Sequence, residues 1–304
     1  MASMTPSQWY GVFPAITTPF TANGEVDHSF LAGHARRMTA SGCRGLVALG
    51  SLGEGATLTT DEKLAILETC VQAVGDRVPV VAGISSLSTS DAVALARAAE
   101  KAGCAGLMVL PPYVYRGDWP EMRAHVSAVI AATPLSCLLY NNPIAYGTDF
   151  LPEQVRMFCE HKNLHAVKES SGDVRRFTAL RALLGERLAL FVGMDDAVLE
   201  GVAMGATGWV AGLVNALPDE SVLLFEHAVA GRMHEARALY EWFLPLLRLD
   251  TVPKFVQLIK LVQDEVGLGN ERVRAPRMVL TGAEREMALA VIRERLATKP
   301  ATAA

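Results

Sequence analysis

The seven lysines of this chain fall into two groups by their surroundings. Lys63, Lys101, Lys162, Lys254, Lys260 and Lys299 lie on helical stretches, at helix ends or in the tail, where solvated ammonium groups belong. Only Lys168 closes an apolar, β-like run, Leu164-His165-Ala166-Val167-Lys168. A period of two puts small Ala166 and Lys168 on one face, suited to a crowded interior, and turns His165 and Val167 toward a helix layer. An amine in such an interior loses hydration, which disfavours the ammonium form and lowers the pKa. A drop from about 10.4 to ~7–8 raises the neutral amine at pH 7 on the order of a hundred- to a thousandfold. Neutral amines attack carbonyls and form Schiff bases, which act as electron sinks. The competing reading pairs Lys168 with a buried carboxylate, and position alone leaves both open.

Two more clusters could serve such an amine. In Leu139-Tyr140-Asn141-Asn142-Pro143, Tyr140 ends a strand adjacent to that of Lys168, where a phenol can relay protons or simply cap a barrel. In Leu49-Gly50-Ser51-Leu52-Gly53-Glu54, two glycines bracket a hydroxyl, so backbone N–H groups could converge on a carboxylate. An ordinary glycine-rich turn would look the same. Asp195-Asp196 reads as a helix cap. Glu169-Ser170-Ser171-Gly172-Asp173 suits either a substrate contact or a cap. The remaining histidines, His28, His34, His125, His161, His227 and His234, show no metal-ligand spacing.

The elements that would position these groups alternate. Eight β-like runs are separated by helical segments: 10–17, 45–49, 78–83, 106–110, 135–140, 164–168, 188–192 and 208–211. Helical spacing is clearest over 61–74, 89–101 and 152–159. Strict alternation argues for a parallel sheet with helices outside, and eight repeats at this length fit a closed (β/α)8 TIM barrel. An internal echo agrees. Ser41-Gly42-Cys43-Arg44-Gly45 resembles Ala102-Gly103-Cys104-Ala105-Gly106, with Met204-Gly205-Ala206-Thr207-Gly208 a looser copy. The first glycine of each suits a left-handed helix end. A doubly wound open sheet is the runner-up, weakened because no G-x-G-x-x-G follows the first strand. Beyond Asn215 the pattern is purely helical, over 219–230, 234–248, 253–266 and 282–297. The expected division is a catalytic barrel over 1–230 and a C-terminal helical region over 231–304, with a frayed tail from Thr298.

The chain has 304 residues, 51% apolar and 20% charged, with a formal net charge of −4. That composition excludes disorder and gives no basic face for nucleic acid. No apolar run approaches the ~18 residues that cross a bilayer. The N-terminus has no secretory character, and five scattered cysteines (Cys43, Cys70, Cys104, Cys137, Cys159) give neither a disulfide framework nor a zinc ribbon. These features suit a cytoplasmic protein whose cysteines are small buried apolar residues.

Taken together, the clusters resemble the dihydrodipicolinate synthase / N-acetylneuraminate lyase family. The likeness covers nearly the whole chain, through Pro14-Ala15-Ile16-Thr17-Thr18-Pro19-Phe20, Gly50–Glu54, Tyr140–Pro143 and Lys168–Asp173. The resemblance implies a (β/α)8 barrel with C-terminal helices, a homotetramer of paired dimers, and no metal or organic cofactor. By position it makes Lys168 the Schiff-base nucleophile and Tyr140 the proton-relay phenol. It makes Ser51 the hydroxyl linking two tyrosines, and Tyr113 a tyrosine lent across a dimer interface. The turn Gly50, Ser51, Leu52, Gly53 would cradle the carboxylate of a 2-oxo acid, and Val210 would line the pocket.

The departures from the family pattern point further. Synthase members carry an arginine two residues after the proline of the tyrosine motif; here that position is Ala145. A carboxylate bound there would lose its bidentate partner. Leu52, where synthases usually carry threonine, leans the same way. Four stretches look more like the subgroup that deaminates 1-pyrroline-4-hydroxy-2-carboxylate in hydroxyproline breakdown. They are Ser51–Glu54, Lys168–Ser171 with Arg175-Arg176, Gly208–Asn215 and Leu249-Asp250-Thr251. The alternatives are 4-hydroxy-tetrahydrodipicolinate synthase and a 2-keto-3-deoxy sugar acid aldolase or dehydratase. Outside catalysis, the alternative is a ligand-sensing paralogue.

Overall fold

The computed structural model describes residues 3–300. Its eight strands are β1 (Gly11–Pro14), β2 (Leu46–Ala48), β3 (Val80–Ile84), β4 (Gly106–Val109), β5 (Ser136–Asn141), β6 (Leu164–Glu169), β7 (Ala189–Val192) and β8 (Gly208–Ala211). Neighbours in sequence pair in parallel from β2 to β8, and β8 pairs with β1. A parallel bridge between Ala15 and Val47 brings β1 against β2 and completes the ring. The architecture is the (β/α)8 barrel that the alternation predicts. Helices Met233–Leu247, Phe255–Glu265 and Gly282–Ala297 follow the last barrel helix, Pro218–Val229.

The strands read as near-continuous apolar runs because both faces are covered. Inward residues, among them Phe13, Val47, Val81, Leu138, Phe191 and Val210, form a separate packed cluster inside the ring. Phe13 and Phe191 meet edge to face at 5.3 Å, and Trp9 packs on Phe191 at 5.8 Å. Four of the barrel helices start on side-chain caps, from Asp27, Thr59, Ser88 and Asp118. Thr59 and Glu62 form a reciprocal box at Thr60–Val74, and Asp118 and Glu121 do so at Trp119–Ile130. In the echoed segments Gly42, Gly103 and Gly205 all take positive φ, between +89° and +99°, as a left-handed helix end requires.

Two expectations are corrected. The first concerns His165, whose ring does not join the helix layer. The register between β5 and β6 shifts at Cys137/Leu138, leaving His165 as a bulged residue. Its Nδ1 lies 2.6 Å from Ser136 Oγ, which also accepts from Trp9 Nε1. Ala166 and Lys168 still face inward.

The second concerns Lys260, which is not solvated but only 2% exposed. Its Nζ donates to Glu54 Oε1 at 2.6 Å and to the carbonyls of Thr18 and Arg272. Glu54 also accepts from the Arg274 amide, so the pair ties the β2 turn to the C-terminal helices. The helical period gave no sign of this because the partner is more than two hundred residues away. Replacing Glu54 with glutamine strands a buried ammonium, so Glu54→Gln is expected to lower stability by about 3–5 kcal/mol. Denaturant unfolding checks this, and adding Lys260→Met is expected to restore much of the loss.

Cys43, Cys70, Cys104 and Cys137 are free and buried, and burial pushes their thiols up to about 12. Among the described residues no helix is long and apolar enough to cross a membrane.

Candidate active site

Lys168 and Tyr140 lie side by side near the C-terminal ends of β6 and β5, the end at which barrel enzymes place their chemistry. The strand register pairs them directly, and Lys168 Nζ sits 4.1 Å from the centre of the Tyr140 ring. Both are buried, and a cavity of about 370 Å³ opens beside them. The two buried lysines differ sharply here. Lys260 is locked in an ion pair, whereas no carboxylate lies within 4 Å of Lys168 among the described residues. The paired-lysine reading therefore belongs to Lys260.

Burial lowers the Lys168 pKa to about 8, against the charges of Asp250 and Asp195, which act to raise it. Asp195 is held up at about 6 by burial, against hydrogen bonds from Leu213 N, Trp209 Nε1 and Gly212 N. It is not the helix cap its position suggests, because those three bonds fix the turn after β8. Asp250 is raised well above the ordinary carboxyl range by burial and then by the neighbouring Asp195. A protonated Asp250 removes one of the two charges that would hold the lysine as an ammonium. Tyr140 is pushed up to about 12 by burial, with the Asn142 amide acting the other way, so it stays a phenol at neutral pH. If the free amine of Lys168 is the reacting form, imine formation should rise with pH through about 8 and level off above it. Below that point the amine fraction falls tenfold per pH unit. A pH–rate profile of imine trapping checks this, and a flat profile contradicts it.

The space around the lysine depends on a missing side chain. A Cβ on Gly193 would stand 2.6 Å from Lys168 Cε and 1.9 Å from Ser170 Oγ. Gly50, Ser51 and Leu52 line the cavity from the β2 side and Val210 lines it from β8. Gly53 lies behind that turn: its carbonyl accepts the Thr18 hydroxyl at 2.6 Å, and it is not part of the cavity wall. Ala145 is in the wall. Glu169 accepts from Ser171 N and Asn141 Nδ2, so it braces the loop after β6.

Ser51 meets a tyrosine, though not Tyr113. Its Oγ hydrogen-bonds the hydroxyl of Tyr146, whose ring lies 5.8 Å from Tyr140 and 6.4 Å from Tyr113. Asn142 builds this arrangement. Its Oδ1 caps the short helix Pro143–Tyr146 by accepting from Ala145 N, while its Nδ2 donates to Tyr140 Oη at 2.9 Å. Within one chain Tyr113 lines a second cavity of about 710 Å³, beside Arg277 and Lys254. The sequence reading gave Tyr146, Asn142, Gly193 and Asp250 no role. The available signal was the spacing Tyr140-x-Asn142-x-x-x-Tyr146, which puts all three at one end of β5.

Residues 8–295 match the model of the dihydrodipicolinate synthetase family. The chain belongs to this family. It is 32% identical to the 4-hydroxy-tetrahydrodipicolinate synthase of Geotalea daltonii over 288 residues, 93% of this chain and 98% of that protein. Identity to the synthase of Natronomonas pharaonis is 37% over 238 residues, covering 78% of this chain and 80% of that one. The 4-hydroxy-tetrahydrodipicolinate synthase from Methylacidiphilum fumariolicum superposes with a TM-score of 0.89 at 29% identity, covering 95% of this chain and 97% of that one. The dihydrodipicolinate synthase from Acinetobacter baumannii, solved with pyruvate, gives 0.90 at 26% identity over 94% and 98%. The protein is thus an enzyme of a Schiff-base lyase family, and Lys168, Tyr140 and Ser51 sit together around its barrel cavity.

Proposed function

We propose that the protein is a class I lyase whose Lys168 amine forms a Schiff base with C2 of a small 2-oxo acid or its cyclic imine. Its substrate in this reading is 1-pyrroline-4-hydroxy-2-carboxylate, which it deaminates. The carboxylate sits on the Gly50–Leu52 turn, and Val210 packs against the adjoining carbons. Tyr140 moves the protons, with Ser51 and Tyr146 bonded behind it. Tyr113 joins them from a neighbouring copy in a homotetramer of paired dimers. The imine acidifies C3, the C4 hydroxyl leaves as water, and hydrolysis then releases ammonia and 2,5-dioxopentanoate. One water is lost and two are taken up, with no change of oxidation state overall. Neither metal nor organic cofactor has a part in these steps.

The observation that carries this choice is the charge of the cavity wall. Among the described residues lining it, Lys168 is the one cationic side chain, Ala145 stands where a guanidinium would hold a second carboxylate, and Asp250 adds a carboxyl. A neutral hydroxyl fits such a wall better than a second carboxylate does.

The names of the relatives favour a second reading, 4-hydroxy-tetrahydrodipicolinate synthase. That reading needs a cation for the aldehyde's carboxylate. Arg277, close enough to Tyr146 to act on its hydroxyl, is the candidate. Purified enzyme offered 1-pyrroline-4-hydroxy-2-carboxylate in one assay, and pyruvate with aspartate semialdehyde in another, separates the two. Ammonia release in the first supports the deaminase. Turnover confined to the second replaces it with the synthase.

A further inference from the structure

Asp250 ends the turn Arg248–Asp250 that follows helix Met233–Leu247, so it reaches the cavity from outside the strands and their loops. It packs so closely on the turn after β8 that a Cβ on Gly212 would stand 2.1 Å from its Oδ1. That Oδ1 is buried and has no hydrogen-bond partner among the described residues. A polar atom left so costs about 1–3 kcal/mol, which a ligand making the bond would recover. Its neighbour Asp195 is fully satisfied by backbone and indole N–H groups, so the two adjacent carboxyls are built for different tasks. Asp250 lines the same cavity as Lys168 and the Gly50–Leu52 turn, so it faces the space that a substrate held by both would fill.

We propose that Asp250 is the acid that protonates the leaving oxygen at C4 of the substrate. This deepens the deaminase reading and rests on it. The step balances as a dehydration. A base takes the C3 proton from the Lys168-linked imine, the enamine pair closes C3=C4, and the C4–O bond breaks with its electrons on oxygen. Asp250 supplies the proton that makes the leaving group water and is left as carboxylate, regaining a proton from the relay. The titratable groups facing Asp250 are Lys168, Tyr140, Asp195 and Asp196. Burial and the Asp195 charge keep its carboxyl raised, so it holds a proton to give.

The test compares wild type with Asp250→Asn on two substrates, the C4-hydroxy ring and the same ring with chlorine at C4. Chloride departs without protonation. Asp250→Asn is expected to lower kcat on the hydroxy substrate about 10²–10⁴-fold. The loss on the chloro analogue should be at least tenfold smaller than on the hydroxy substrate, and borohydride should still trap pyruvate on Lys168. Equal loss on both substrates, or no loss on the hydroxy substrate, overturns the proposal. Wild type that leaves the hydroxy substrate untouched overturns the deaminase reading and this inference with it. Should the variant fail to fold, the wild-type profile still decides. Turnover of the hydroxy substrate should fall at high pH as Asp250 ionises, while turnover of the chloro analogue holds; parallel profiles reject the acid role.

Discussion

Lys168→Ala is expected to lower kcat on the order of 10⁴–10⁶-fold while the protein stays folded. The size follows from covalent catalysis, because without the amine no electron sink forms at C2 and the C3 proton keeps its ordinary acidity. Folding survives because Lys168 makes no ion pair that the variant would break, and truncation relieves a desolvated amine. Lys168→Arg should be as inactive, since a guanidinium stays protonated at neutral pH. Lys260 is the internal control. It is just as buried, yet its change should appear in unfolding rather than in an imine-trapping assay. Steady-state kinetics with thermal melts on the two lysine variants read the contrast.

Tyr140→Phe gives the next largest effect, a loss of about 10²–10⁴-fold in kcat with KM little changed. The hydroxyl is held at 2.9 Å by Asn142 and the ring packs against the Lys168 amine, so the variant removes a proton carrier and keeps the wall of the cavity. Proton transfers should become limiting, and exchange of the pyruvate methyl protons with deuterated solvent should slow in step with kcat. Unchanged exchange in Tyr140→Phe would give the relay to another group, with Tyr146 next in line through its ring contact and its bond to Ser51.

Much of this was legible because a barrel converts local sequence into position. Each apolar run ends at the same mouth, so a lysine closing one run and a tyrosine closing the adjacent run must meet there, as Tyr140 and Lys168 do. The echoed Gly42 and Gly103 marked the helix ends for the same local reason. What escaped notice came from elsewhere in the chain. Asp250 reaches the cavity from the C-terminal helical region, and no periodicity reports which appended residue touches the mouth. Lys260 looked solvated because helical spacing cannot show a partner on the β2 turn. Asp195 looked like a cap because its real partners, Gly212, Leu213 and Trp209, belong to the next strand and its loop. Tyr146 lies just beyond the Tyr140–Pro143 motif, and its partnership with Ser51 depends on how one short helix sits across the barrel mouth.

The most direct test of the covalent step is borohydride reduction of the protein in the presence of pyruvate, followed by peptide mass spectrometry. One stable adduct is expected, on the peptide containing Lys168 and absent from Lys168→Ala. No adduct, or an adduct placed on another lysine, would contradict it.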